Sequence, residues 1–189
     1  MVDVMNAAKL LIQTGMTQAE MSVGDGITNL RLNKLLFFAQ AYSLAEYNEP
    51  LFSDEIQAWD MGPVVPKIYH NYKGFRNNVI EDTAPDRSVF SDRDYMTLLD
   101  VFSIVQPLST FKLVNLSHTA NAPWDTVYKK NKGGIIPQEA IREYYKKHPF
   151  YQRSFQDVLK ELRGKAYVPA RDENGVAIIP KDFSEGWDE

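Results

Sequence analysis

LNKLLFFAQAYSLAEY, residues 32–47, passes through PLFSDEIQAW (50–59) into DMGPVVPKIYHNYK (60–73), and this stretch decides the fold. Leu30, Leu32, Leu35, Leu36, Phe37, Phe38, Ala39, Ala41, Tyr42, Leu44 and Ala45 make nearly every face of a helix apolar. Asn33, Gln40, Ser43 and Tyr47 recur at spacings of seven, three and four and so form one narrow polar stripe. A helix over about residues 30–47 with so little polar surface is expected to be enclosed by other elements. Arg31, Lys34 and Gln40 interrupt it too often for a bilayer span, which needs about 20 mostly apolar residues. Asn48 and Pro50 end it, because a proline disfavours helical geometry in the residue before it.

Beyond the helix, Ile56, Ala58 and Trp59 suit a short extended piece. Pro63 and Pro66 then fix two φ angles and push Gly62 and Val65 out of the helical region, so residues 61–66 are expected to form a stiff loop. Pro66 suits the first position of a short helix through Ile68, Tyr69 and Tyr72, with Gly74 as its stop.

Helical spacing recurs along the chain. Residues 4–14 place Val4, Ala7, Ala8, Leu11 and Ile12 on one side, and residues 15–26 form a connector. Ser91 caps a run bearing Tyr95, Leu98, Leu99, Phe102 and Val105, which Pro107 closes. A shorter helix covers residues 110–119, and Pro123 and Pro137 each suit the first turn of another. A last apolar stripe, Tyr151, Phe155, Val158, Leu159 and Leu162, ends at Gly164. Residues 74–90 are polar and fit a surface loop. In the tail, Asn174-Gly175 lies between β-formers, which is a hairpin signal, and an acidic end with Phe183 and Trp187 follows. The expected architecture is mainly α: a compact helical domain over residues 1–164 around a buried central helix. A C-terminal hairpin and acidic tail, 165–189, supply a small β element.

Bulk properties narrow the function. A chain of 189 residues with 44% hydrophobic content can build one sizeable core. The absence of cysteine excludes disulfides and thiolate zinc sites, and the first residues lack the basic start of a secretion signal, so a cytoplasmic location is expected. A net charge of −4 argues against nucleic acid as the main partner, since that affinity is built from clustered Lys and Arg. Lys129, Lys130 and Lys132, like Lys146 and Lys147, fit solvated helix faces. His70, His118 and His148 are far apart, no carboxylate set has metal-loop spacing, and the Gly24-Asp25-Gly26 and Gly133-Gly134 runs lack nucleotide-loop patterns. Ser117 and His118 are adjacent, so on a helix they point about 100 degrees apart rather than toward each other. No catalytic residue, metal or cofactor is expected, and His118 fits a hydrogen-bonded helix residue near Trp124.

The run from Leu32 to Lys73 resembles the signature of the Panacea-domain, or SocA-like, antitoxins, a group of phage-associated proteins. Leu116-Ser117-His118, Ala122-Pro123-Trp124 and Ile136-Pro137-Gln138-Glu139-Ala140-Ile141 resemble the same family's later motif in the same order, so the likeness spans roughly residues 5–147. It implies a mainly helical domain that neutralises a cognate protein toxin, encoded by the adjacent gene, through direct binding and without enzymatic activity. A proteolytic adaptor, a transcriptional autoregulator and an enzyme of unknown type are the alternatives.

Trp59, Asp60, Gly62, Pro63 and Pro66 admit two readings: packing and chain reversal alone, or a preorganised partner surface, because a rigid loop loses little entropy on binding and aromatic anchors dominate interfaces. Tyr69 and Tyr72 would extend such a surface, and His118 and Trp124 of the second motif join the candidate set.

Overall fold

The computed structural model describes residues 1–20 and 26–151, which lie in one compact unit, Met1–Gln152. Among the described residues there are seven α-helices and one two-stranded antiparallel sheet. In chain order these are α1 (Val4–Glu20), α2 (Asn29–Tyr47), β1 (Gln57–Trp59), β2 (Gly62–Val64), α3 (Pro66–Tyr72), α4 (Asp92–Val105), α5 (Thr110–Ser117), α6 (Pro123–Lys130) and α7 (Gln138–Lys147). The protein is mainly α with a small β element. Apart from Tyr151, the last helix, expected to end at Gly164, lies outside the described residues, as do the tail hairpin, the acidic end and the boundary at 164.

α2 is the axis of the fold. Thr28 caps it by accepting a hydrogen bond from Arg31 N, and Asn48 ends it in the left-handed region at φ 58°. Every residue from 32 to 44 is buried, and α1, α3, α4, α5, α7 and β2 all pack on it. Its aromatic side chains join those of α7 and the segment after it: Phe38 lies edge-on to Phe37 at 5.3 Å, 6.3 Å from Tyr145 and 4.8 Å from Phe150.

The polar stripe on this helix is not a water-facing seam. Gln40 Oε1 accepts hydrogen bonds from Leu51 N and Phe52 N at 2.9 and 3.1 Å, and its amide donates to Phe52 O at 3.0 Å. Ser43 donates to Glu49 O at 2.7 Å, and Asn33 Oδ1 accepts from Val65 N at 2.9 Å. These buried side chains therefore satisfy the main chain of the irregular segment that returns along α2, which would otherwise bury unpaired amides and carbonyls.

Three local expectations are corrected. α1 continues through Gly15 to Glu20 instead of ending at residue 14, because Gly15 is a contact point: a Cβ there would come within 2.4 Å of Ile27 Cγ1. Gly74 does not stop α3 but sits inside the following 3-10 turn, Lys73–Phe75. The expected extended piece is β1, but the expected stiff loop after it pairs back as β2, so residues 57–64 form a hairpin with Trp59 opposite Gly62 and Ala58 opposite Pro63. That register explains how a proline enters a strand: alternate pairs in an antiparallel ladder exchange no hydrogen bonds, and Ala58 spends its N–H and C=O on Gly134 and Gly133 instead (2.9 and 2.7 Å).

Candidate functional site

The hairpin is held on three sides. On its β1 edge, residues 133–136 run alongside, through the two Ala58 bonds and an Ile136 N–H to Ile56 O bond of 2.8 Å. Behind β2, the Lys34 ammonium on α2 donates to Pro63 O at 2.8 Å. Lys34 is fully buried, and burial pulls its pKa down to about 7. From α6, Trp124 donates through Nε1 to Trp59 O at 2.9 Å, and Tyr128 donates through its hydroxyl to Asp60 Oδ1 at 2.7 Å.

Gly62 shows how tightly this is packed. Its φ of +100° favours glycine, and an added Cβ would lie 2.8 Å from Ser117 Oγ and 2.9 Å from Lys34 Nζ. Gly62→Ala is therefore expected to cost about 2–3 kcal/mol in strain and displacement, lowering the melting temperature by roughly 5–10 °C in a thermal unfolding experiment.

His118 stacks on Trp124 with ring centroids 3.6 Å apart and planes within 4°, and Trp124 stacks on Tyr128 at 4.5 Å. Burial lowers the His118 pKa, the Lys34 charge adds to that shift, and Asp125 opposes it. The expected hydrogen-bonded helix position is corrected here: His118 caps the end of α5, and its Nε2 is buried with no hydrogen-bond partner. Ser117 donates to Val114 O at 2.7 Å, within its own helix. Among the described residues no group of three or more His, Asp or Glu could hold a metal.

In front of the hairpin lies a cleft of about 800 Å³ whose lining includes Trp59, Asp60, Met61, Tyr69, Lys73, Arg76 and Lys132. The Trp59 and Tyr69 rings meet edge-to-face at 4.8 Å, and Trp59 Nε1 donates to Gln57 Oε1 at 2.9 Å. Asn29 fastens the base of α3 by donating to Tyr69 O at 3.0 Å.

The sequence-selected residues thus divide into two groups. Trp59, Asp60 and Tyr69 meet at the cleft. Gly62, Pro63, Trp124 and His118 form the support behind it, and Pro66 opens α3. Tyr72 is buried, and its hydroxyl donates to Asp82 Oδ2 at 2.6 Å. Sequence reasoning missed Met61, Lys73, Arg76 and the place of Lys132. For Lys132 the signal was present in the basic run at 129–132, of which Lys129 is drawn off by Asp125 at 2.8 Å while Lys132 lies over the Tyr128 ring at 5.1 Å.

Residues 32–125 match the family described as Antitoxin SocA-like, Panacea domain. That match contains α2 from Leu32 onward, the hairpin, α3, and the His118 and Trp124 that back them, while the first turn of α2 and the Ile136–Ile141 motif lie outside it. The chain therefore carries the Panacea domain of the SocA-like antitoxin family. It is 30% identical to Antitoxin SocA of Caulobacter vibrioides (strain NA1000 / CB15N), over 53% of this chain and 60% of that protein. No solved structure matches the chain. Among the described residues no single helix is long and apolar enough to cross a membrane.

Proposed function

We propose that this chain is an antitoxin that neutralises a protein toxin, encoded by the adjacent gene, by binding it directly in the cytoplasm. The family match carries this reading, because it covers the hairpin itself together with Lys34 and Trp124, two of the side chains that brace it. A braced hairpin loses little conformational freedom on association, and it presents a half-exposed Trp59 beside an exposed Tyr69. Such aromatic anchors provide most of the binding energy in many interfaces. Neutralisation follows by occlusion: the domain covers the toxin's working surface stoichiometrically, with no chemistry of its own.

Co-expression of the chain with its neighbouring gene is the test. Growth restored by this chain, with both proteins co-purifying, is expected; undiminished toxicity without a complex would end the proposal. The Trp59→Ala/Tyr69→Ala double variant is expected to weaken the complex by at least roughly 30-fold, equivalent to about 2 kcal/mol, in a calorimetric titration. Its circular dichroism spectrum should stay native, since both rings lie at the cleft rather than in the core.

A further inference from the structure

The cleft has a charge opposite to that of the chain. The whole protein carries −4, yet Lys73, Arg76 and Lys132 line this opening with Asp60 as the one lining carboxylate. Asp60 is already engaged: the Tyr128 hydroxyl bonds to it, and Tyr128, with a smaller contribution from the Asp60 charge, holds the Lys132 ammonium above its ordinary pKa. Lys73 and Arg76 make no ion pair among the described residues. Arg76 also has φ 54° and ψ −117°, a conformation unfavourable for a non-glycine residue that recurs where ligands are held.

Apolar surface completes the opening: Met61 is 45% exposed and Tyr69 36% exposed. The cations come from two separate segments, the turn after α3 and the loop after α6, as suits several carboxylates along a chain better than one phosphate group. An amide cradle for phosphate is not available from the lining glycine, because the Gly133 N–H is spent on Ala58 O at 2.7 Å.

We infer that this cleft binds an acidic peptide segment of the toxin, with Glu or Asp side chains at Lys73, Arg76 and Lys132 and an aromatic or aliphatic side chain against Trp59, Tyr69 and Met61. The inference rests on the antitoxin reading for the identity of the partner, and on charge complementarity for its chemistry.

The test uses the full chain and its Lys73→Glu/Arg76→Glu and Lys132→Glu variants, each first checked for an unchanged melting temperature. Fluorescence anisotropy is read with a labelled peptide of alternating Glu and Phe, with its Lys-and-Phe counterpart, and with a fluorescent GTP analogue. The acidic peptide should bind the wild type, lose roughly 10-fold or more in affinity with the double variant, and weaken as salt rises. Equal binding to wild type and variants, no binding of the acidic peptide, or binding of the GTP analogue in its place overturns the inference. The adjacent-gene product separates the two levels. A complex that forms but is insensitive to both variants removes the cleft assignment and leaves the antitoxin reading standing. If no complex forms and toxicity persists, the antitoxin reading falls, and the peptide result alone decides what the cleft binds.

Discussion

Phe38→Asp is expected to abolish the folded domain. Phe38 is 0% exposed, and its ring contacts Phe37, Tyr145 and Phe150, so the substitution empties a site shared by α2, α7 and the segment after α7. Truncating a buried phenylalanine costs about 3–5 kcal/mol, and an unpaired carboxylate adds several more or forces its own protonation. The sum is comparable to the about 5–15 kcal/mol that holds a typical domain together. The protein should be insoluble or show no cooperative thermal transition, whereas Phe38→Leu should fold with a loss of about 1–2 kcal/mol. A cooperative Phe38→Asp melt within a few degrees of wild type would refute the enclosed-axis description of α2.

The second large effect concerns Lys34, where substitution should stabilise. Burial alone lowers its pKa to about 7, and no carboxylate offsets the cost. In the unfolded chain a lysine titrates near about 10.4, so between roughly pH 7 and 10 the unfolded state holds a proton that the native state has released. Stability must then rise with pH across that window, by up to about 1.4 kcal/mol per unit, and the whole penalty is present below pH 7.

Lys34→Met keeps the volume, removes the charge and gives up the bond to Pro63 O, worth about 1–2 kcal/mol. At pH 7 the variant should be more stable by about 2 kcal/mol, and its stability should be nearly flat from pH 7 to 9.5. Urea unfolding at several pH values measures this. Higher pH is unsuited to it, because burial raises the pKa values of Tyr72 and Tyr145, so their unfolded-state ionisation lowers stability there. A destabilised Lys34→Met with an unchanged pH profile would show that the ammonium is solvated or paired.

The limits of the sequence reading have physical causes. α2 could be read because its apolar residues leave too little polar surface for a solvent-facing helix. The partners of Asn33, Gln40 and Ser43 could not, since periodicity places side chains on one face without saying whether water or a returning main chain lies opposite. Gly15 reads as a break because glycine costs a helix about 1 kcal/mol relative to alanine; close packing against Ile27 outweighs that, and packing is a tertiary fact.

The hairpin was hidden by Pro63, whose tolerance depends on falling at a pair that exchanges no ladder bonds. Lys34 looked like an interruption in an apolar run, and only the fold shows it behind β2. At the cleft, Trp59, Asp60 and Tyr69 stood out as a cluster close in sequence, but Lys132 joins them only because residues 133–136 return along β1.

Hydrogen–deuterium exchange on the purified complex with the proposed toxin partner tests the central claim most directly. The account predicts slowed exchange on complex formation at residues 57–76 and 128–133, with the amides of α4 unchanged. Protection confined to other surfaces, with exchange at the hairpin and α3 the same in free and bound protein, would contradict it.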